Sequence, residues 1–140
     1  MKVAFIDLDL TLYDGAVFLE WAEFLDNEGI VSLVDIAFID EIIALYKLGR
    51  ISYLETSERG AAEIGLMLSR KSPEKIYEVS KEFVKTLSLN NFYSYTKPVI
   101  GYLKSVGYKI VLVTNEPDFL AEDLKLLIGA DDAIGLDFEI

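Results

Sequence analysis

The sequence contains no cysteine and no histidine. Without cysteine there can be neither a disulfide nor a thiolate metal site. Without histidine the commonest general base is missing, and serine–histidine catalysis and imidazole-held zinc are excluded with it. Basic residues are few: 13 lysines and arginines stand against 24 aspartates and glutamates, for a formal net charge of −11. Such a surface repels nucleic acid and anionic membranes, so neither is expected as a partner. A phosphate could be held only by local amides, a cation or a well-placed base. Long uninterrupted apolar runs are also missing. Asp7 and Asp9 break the N-terminal stretch, which lacks the basic region of a signal peptide. The most apolar window, Ile30 to Leu48, contains Asp35, Asp40, Glu41 and Lys47. It is too polar for a membrane span and reads as a largely buried helix. A soluble, cytoplasmic protein is expected, with its chemistry left to carboxylates, hydroxyls, amines and backbone.

Hydrophobic residues make up 52% of the 140. That is enough for one ordinary domain core, or for a small core with an inserted module. The chain is organised around Val3-Ala4-Phe5-Ile6-Asp7-Leu8-Asp9-Leu10-Thr11. Its apolar run, ended by the turn signal Tyr13-Asp14-Gly15, reads as a strand buried on both faces, with Asp7 at its carboxyl end. Strands of open α/β sheets deliver functional groups there. Asp7 and Asp9 repel one another unless a cation lies between them, which points to a hard divalent ion, Mg²⁺, bound through oxygen. The other reading of the same residues is a solvated turn with both acids in water.

From Ala16 to Asn91 the pattern is helix after helix. Val17, Phe18, Trp21, Phe24 and Leu25 share one helical face, and Gly29 stands where a C-terminal cap belongs. A second helix is expected over Val31–Leu48, stopped by Gly49. Ser52 with Glu55 forms a capping box for a third, which continues to Leu68. Ser72-Pro73-Glu74 opens a fourth, striped by Ile76, Val79, Phe83 and Leu87. No window alternates with period two, so this is a separate helical module. Its aromatic residues, Trp21, Phe38, Tyr46 and Tyr53 among them, are expected in its core.

After Asn91 the pattern changes. Thr96 and Pro98 start a helix that Gly107 ends. Tyr108–Val113 is a second buried strand, finishing at Thr114-Asn115. A helix begins near Pro117 and stops at Gly129, and Ala133–Glu139 is a short third strand. This order gives an α/β fold: a Rossmann-like parallel sheet interrupted once by an all-helical insert. Residues 1–15 and 92–140 form the core, and residues 16–91 the insert. Thr114 and nearby amides at a strand-to-helix junction can cradle a phosphate beside the Asp7 carboxylate.

This constellation resembles the haloacid dehalogenase-like hydrolase superfamily, in its phosphoserine-phosphatase-like branch with a helical cap. Asp7, Asp9 and Thr11 match the family's aspartate-x-aspartate-x-threonine motif. Ile110-Val111-Leu112-Val113-Thr114 matches its apolar run ending in serine or threonine. The resemblance covers the chain and implies a Mg²⁺-dependent phosphatase acting on a small phosphorylated metabolite. Asp7 would be the nucleophile that forms an aspartyl phosphate, and Asp9 the general acid and base. Mg²⁺ would sit on the Asp7 carboxylate and the Asp9 carbonyl. Thr11, Thr114 and Asn115 would serve the phosphate, Thr11 chiefly by fixing the turn.

The family also has a lysine or arginine and a later acidic motif, and neither has a good match here. Lys125 falls inside a predicted helix, Lys97 precedes the second motif, and Asp131-Asp132 reads as a loop before the third strand. The core therefore reads as incomplete at its C-terminal side, and a fragment of a longer protein is expected. A non-catalytic phosphate-binding or interaction module on the same fold is the alternative function, and a phospho-receiver domain a more distant one. A core lacking a strand beside Lys2–Ile6 would leave an open edge. That edge should pair with a second copy or be covered by the chain's last segment.

Overall fold

Lys2-Val3-Ala4-Phe5-Ile6 offers β-branched and aromatic side chains and no capping residue, so extended backbone is its favoured state. In a computed structural model of the protein, which describes residues 1–69, 71–87 and 91–138, this segment is strand β1 (Lys2–Asp7). The helices α1 (Val17–Asn27), α2 (Leu33–Lys47), α3 (Tyr53–Leu68) and α4 (Pro73–Thr86) follow. Then come α5 (Thr96–Ser105), β2 (Tyr108–Pro117), α6 (Asp118–Ile128) and β3 (Asp132–Leu136). The strands form one parallel sheet in the order β1-β2-β3. Lys2 pairs with Tyr108 and Asp7 with Val113, so the carboxyl end of β1 lies beside the second half of β2.

The helix boundaries follow local chemistry. Ser52 Oγ accepts the Glu55 amide at 3.2 Å while the Glu55 carboxylate accepts the Ser52 amide at 2.9 Å, completing the expected capping box of α3. Ser72 caps α4, and Pro73 occupies its first turn. Gly129 ends α6 at φ 76°, a left-handed conformation that glycine adopts without steric cost. Thr96 opens α5 as expected, yet the cap position belongs to Tyr95, and the Thr96 hydroxyl is used elsewhere.

The core runs through the whole molecule. Leu8, Leu12 and Tyr13 below β1 join Trp21 and Leu25 of α1, Ile76 and Phe83 of α4, Ile110 and Leu112 of β2, and Leu120 and Leu124 of α6 in one buried cluster. Trp21 packs edge-on against Phe18 and Phe119, and its indole N–H donates to Ser80 Oγ at 2.9 Å; both Trp21 and Ser80 are buried. This pair ties α1 to α4 with the one polar atom of the ring satisfied.

Several expectations are corrected. β1 is not buried on both faces. It is an edge strand with Phe5 67% exposed, and β2 is the central, buried strand. Among the described residues the last segment does not cover the β1 edge, because β3 pairs on the far side of β2. β3 starts one residue earlier than expected, at Asp132, and ends at Leu136; Glu139 lies outside the described residues. β2 extends through Thr114-Asn115 to Pro117, with an irregularity in its pairing to β3 between Val113 and Pro117. From Ala37 onward α2 is half-exposed rather than largely buried. Ile39 and Ile42 face inward, whereas Phe38 and Tyr46 face solvent; α3, and to a lesser extent α1, pack against this helix. Tyr53 is helical, but its side chain falls outside the described set. No helix among the described residues is long and apolar enough to cross a membrane.

Candidate active site

The turn after β1 is closed by a single carbonyl. Leu8 C=O accepts the amides of Thr11 at 3.1 Å, Leu12 at 2.8 Å and Tyr13 at 3.0 Å, and the Leu10 amide donates to Tyr13 C=O at 2.7 Å. Leu10 is the one non-glycine at positive φ, 56°, among the described residues. A branched residue in that region is strained, and such strain persists where the surroundings over-determine it. The surroundings here are the segment before α5. The Thr96 hydroxyl donates to Leu12 C=O at 2.7 Å, the Tyr93 amide to the same oxygen at 3.0 Å, and the Tyr95 hydroxyl to Thr11 C=O at 2.6 Å. Buried Tyr13 donates to Glu20 at 2.7 Å and accepts from Asn91 at 3.2 Å. Its hydroxyl is pushed up to about 12, first by burial and then by the Glu20 carboxylate.

This clamp presents the acids. Asp7 lies at the exposed end of β1, where its Oδ2 accepts the Thr11 hydroxyl at 2.9 Å. Thr11 thereby fixes the nucleophile candidate as well as its turn. Asp9 turns inward, and its Oδ1 accepts the Val17 amide, the first of α1, at 3.1 Å. Burial raises the proton affinity of Asp9, and the Val17 hydrogen bond opposes that rise. Against Asp9 stands Glu116 of β2, 1% exposed, pushed up to about 8 by burial first and by Asp9 second. Its Oε2 finds no donor among the described residues. Two carboxylates cannot hydrogen-bond without a proton between them, so a proton held on Glu116 and donated to Asp9 accounts for both observations.

Asp7, Asp9, Thr114, Asn115 and Glu116 line one cavity of about 430 Å³, with Leu10 at its edge. All of the expected acids and phosphate contacts except Thr11 reach that wall; Thr11 reaches it through Asp7. Among the described residues, no lysine or arginine lines it. Lys125 is ion-paired to Glu122 on α6, and Lys97 lines a separate cavity of about 180 Å³ beside Phe92. Asp131 accepts the Ile110 amide at 2.7 Å and pairs with Lys104 at 3.0 Å, at the opposite end of the sheet. Asp132 begins β3 and pairs with Lys109 at 3.5 Å, so neither acid joins the site.

A hard cation would find oxygen here but few fixed ligands. Among the described residues no three acidic side chains come close enough to hold a metal ion. The Asp7 carboxylate stands at the cavity wall, while that of Asp9 is engaged by Val17 and Glu116. This donor set suits Mg²⁺, which is commonly held by one or two carboxylates and completed by substrate phosphate and water.

Sequence reasoning missed Glu116 and the 91–96 clamp. An acid immediately after Thr114-Asn115 was a readable signal for the first. The second had none, because its partners lie some eighty positions away in the chain.

The family model for haloacid dehalogenase-like hydrolases matches residues 4–140. No curated protein matches the sequence significantly. Among solved structures, a protein of unknown function from Bordetella pertussis Tohama I is similar at 21% identity and TM-score 0.78, over 99% of this chain and 61% of that one. A phosphoserine phosphohydrolase-like protein from Francisella tularensis subsp. tularensis SCHU S4 is similar at 17% identity and TM-score 0.67, over 100% and 64%. A phosphoserine phosphatase solved as an analogue of its phospho-aspartyl intermediate is similar at 18% and 0.60, over 100% and 59%. These likenesses show a shared fold, and the chain spans about three fifths of the length of each of these proteins. With the motif residues brought to one cavity and the family matched over nearly its whole length, this chain belongs to the haloacid dehalogenase-like hydrolase family.

Proposed function

We propose that the protein is a Mg²⁺-dependent phosphomonoesterase that works through an aspartyl phosphate on Asp7, with residues 16–91 as a cap over the site. The observation that carries this reading is the convergence of Asp7, half-buried Asp9 and Thr114 on one cavity at the carboxyl end of parallel strands, with burial raising the proton affinity of Asp9. The phospho-aspartyl state named for a phosphoserine phosphatase of similar fold supports it. An Asp7 oxygen attacks phosphorus, and the ester P–O bond breaks. The proton of Asp9 passes to the leaving oxygen, releasing the alcohol. Water then attacks phosphorus and gives a proton to Asp9. The acyl-phosphate P–O bond breaks, which restores Asp7 and frees inorganic phosphate. Thr114 and Asn115 hold phosphate oxygens, and Thr11 orients Asp7. The Asp7 carboxylate and Asp9 carbonyl would hold Mg²⁺, whose charge offsets that of the phosphoryl group when it is bound.

One observation favours the rival, a phosphate-binding module without turnover: among the described residues no base lines the cavity, while Glu116 adds a third acid to it. Release of p-nitrophenol from its phosphate with Mg²⁺, compared with EDTA, separates the two. Multiple turnovers that EDTA abolishes are expected; binding of phosphate without turnover would select the module.

A further inference from the structure

The cavity is polar at one end only. Opposite Asp7 and Thr114 its wall is built by Phe18 of α1, Ile39, Ile42 and Ile43 of α2, and Ala61 and Ile64 of α3. Leu10, 73% exposed and strained, adds an apolar side chain from the motif loop itself. Among the described lining residues the one hydroxyl on the helical side, that of Thr56, donates to Ser52 C=O at 2.8 Å within its own helix. Arg59, the only base of α3, turns to another groove with Phe38 and Leu45 and lies 3.9 Å from Glu55. Among the described residues, then, no cation meets whatever part of a substrate lies beyond the phosphate.

A substrate carboxylate placed there would lose its water and gain no partner, which costs free energy. An apolar group would instead leave water for a surface that matches it. The volume, about 430 Å³, is in the range of small-molecule sites and holds a phosphate together with a ring-sized substituent. From this wall we infer the substrate class: a phosphate monoester of a compact, uncharged, apolar alcohol, rather than of an amino acid or a polyol. The inference rests on the phosphatase reading of the same site. It separates this chain from the phosphoserine-related proteins that share its fold.

Esters of primary alcohols test it, because their leaving groups are alike and binding decides the order. With the protein and Mg²⁺, kcat/KM for benzyl phosphate should exceed that for phosphoserine and for glycerol 3-phosphate by about tenfold or more. That is the discrimination a single well-matched pocket contact supplies. Ile43→Arg, which places a cation on the half-buried helical wall, should shrink that ratio by bringing phosphoserine up and benzyl phosphate down. Equal or reversed preference in the unaltered protein would overturn the inference and leave the phosphatase reading standing. If no ester is hydrolysed, the phosphatase reading fails instead, and calorimetric binding of two phosphonates decides the class. Benzylphosphonate binding more tightly than 2-amino-4-phosphonobutyrate supports it; equal, reversed or undetectable binding of the two overturns it.

Discussion

At neutral pH the Glu116 carboxyl keeps its proton, because burial penalises its charged form and Asp9 stands against it. Between its ordinary 4.5 and about 8 the folded chain therefore holds a proton that the unfolded chain has released. Stability should fall as pH rises through that window, by up to about 1.4 kcal/mol per pH unit for one proton. Urea unfolding in EDTA from pH 5 to 8 measures the slope, and Glu116→Gln should flatten it. A slope unchanged by that substitution would place the proton elsewhere. That Asp7, Asp9 and Thr114 would lie together was legible because Asp7 and Thr114 each end a short apolar run and Asp9 follows two places on, a pattern local in sequence. For Glu116 the place directly after Thr114-Asn115 was the one signal, and it did not tell an acid in a loop from an acid buried against Asp9, which needs β2 to extend to Pro117.

Among the elements, those with self-contained signals were read correctly from sequence. The Ser52–Glu55 box and the Ser72-Pro73 start involve residues within one turn of each other. What depends on distant neighbours was not: the exposure of Phe38 and Tyr46 reflects which helices pack on α2. The same holds for the segment that clamps the motif loop. Thr96 reads as a helix start, yet its buried hydroxyl serves Leu12, 84 positions earlier. Thr96→Val keeps the shape and removes this donor, so it should destabilise the fold by about 1 kcal/mol in denaturant unfolding. Thr86→Val, which removes a donor from the exposed end of α4, should stay within about 0.5 kcal/mol. Equal costs at the two positions would mean that the clamp contributes nothing of its own. A glycine gives β3 its place: a Cβ at Gly135 would sit 2.7 Å from Glu116 C=O and 2.9 Å from Ala121. Any larger residue there would push β3 away from the strand that carries Thr114 and Glu116.

Over the whole molecule, both outer strands of the sheet pair with β2 alone among the described residues, β3 on one side and β1 on the other. Phe5 stands exposed on that strand, and Lys2, stacked over the Tyr108 ring at 5.4 Å, is its only charge before Asp7. Exposed apolar edges of this kind invite pairing. The 140-residue chain is expected to associate through β1, and Phe5→Lys should weaken that association at least about tenfold in sedimentation equilibrium. A protein that stays monomeric at high concentration would show that the edge is blunted some other way. Neither this edge nor the scarcity of fixed metal ligands alters where the phosphoryl group is expected to go. The direct test of that destination uses a ³²P-labelled monoester, Mg²⁺ and an acid quench, followed by mapping of the labelled peptide. Hydroxylamine-sensitive label on the peptide containing Asp7, lost in Asp7→Asn together with turnover, is the expected result. Sustained hydrolysis with no label on that peptide, unaffected by Asp7→Asn, would contradict the assignment of Asp7 as nucleophile.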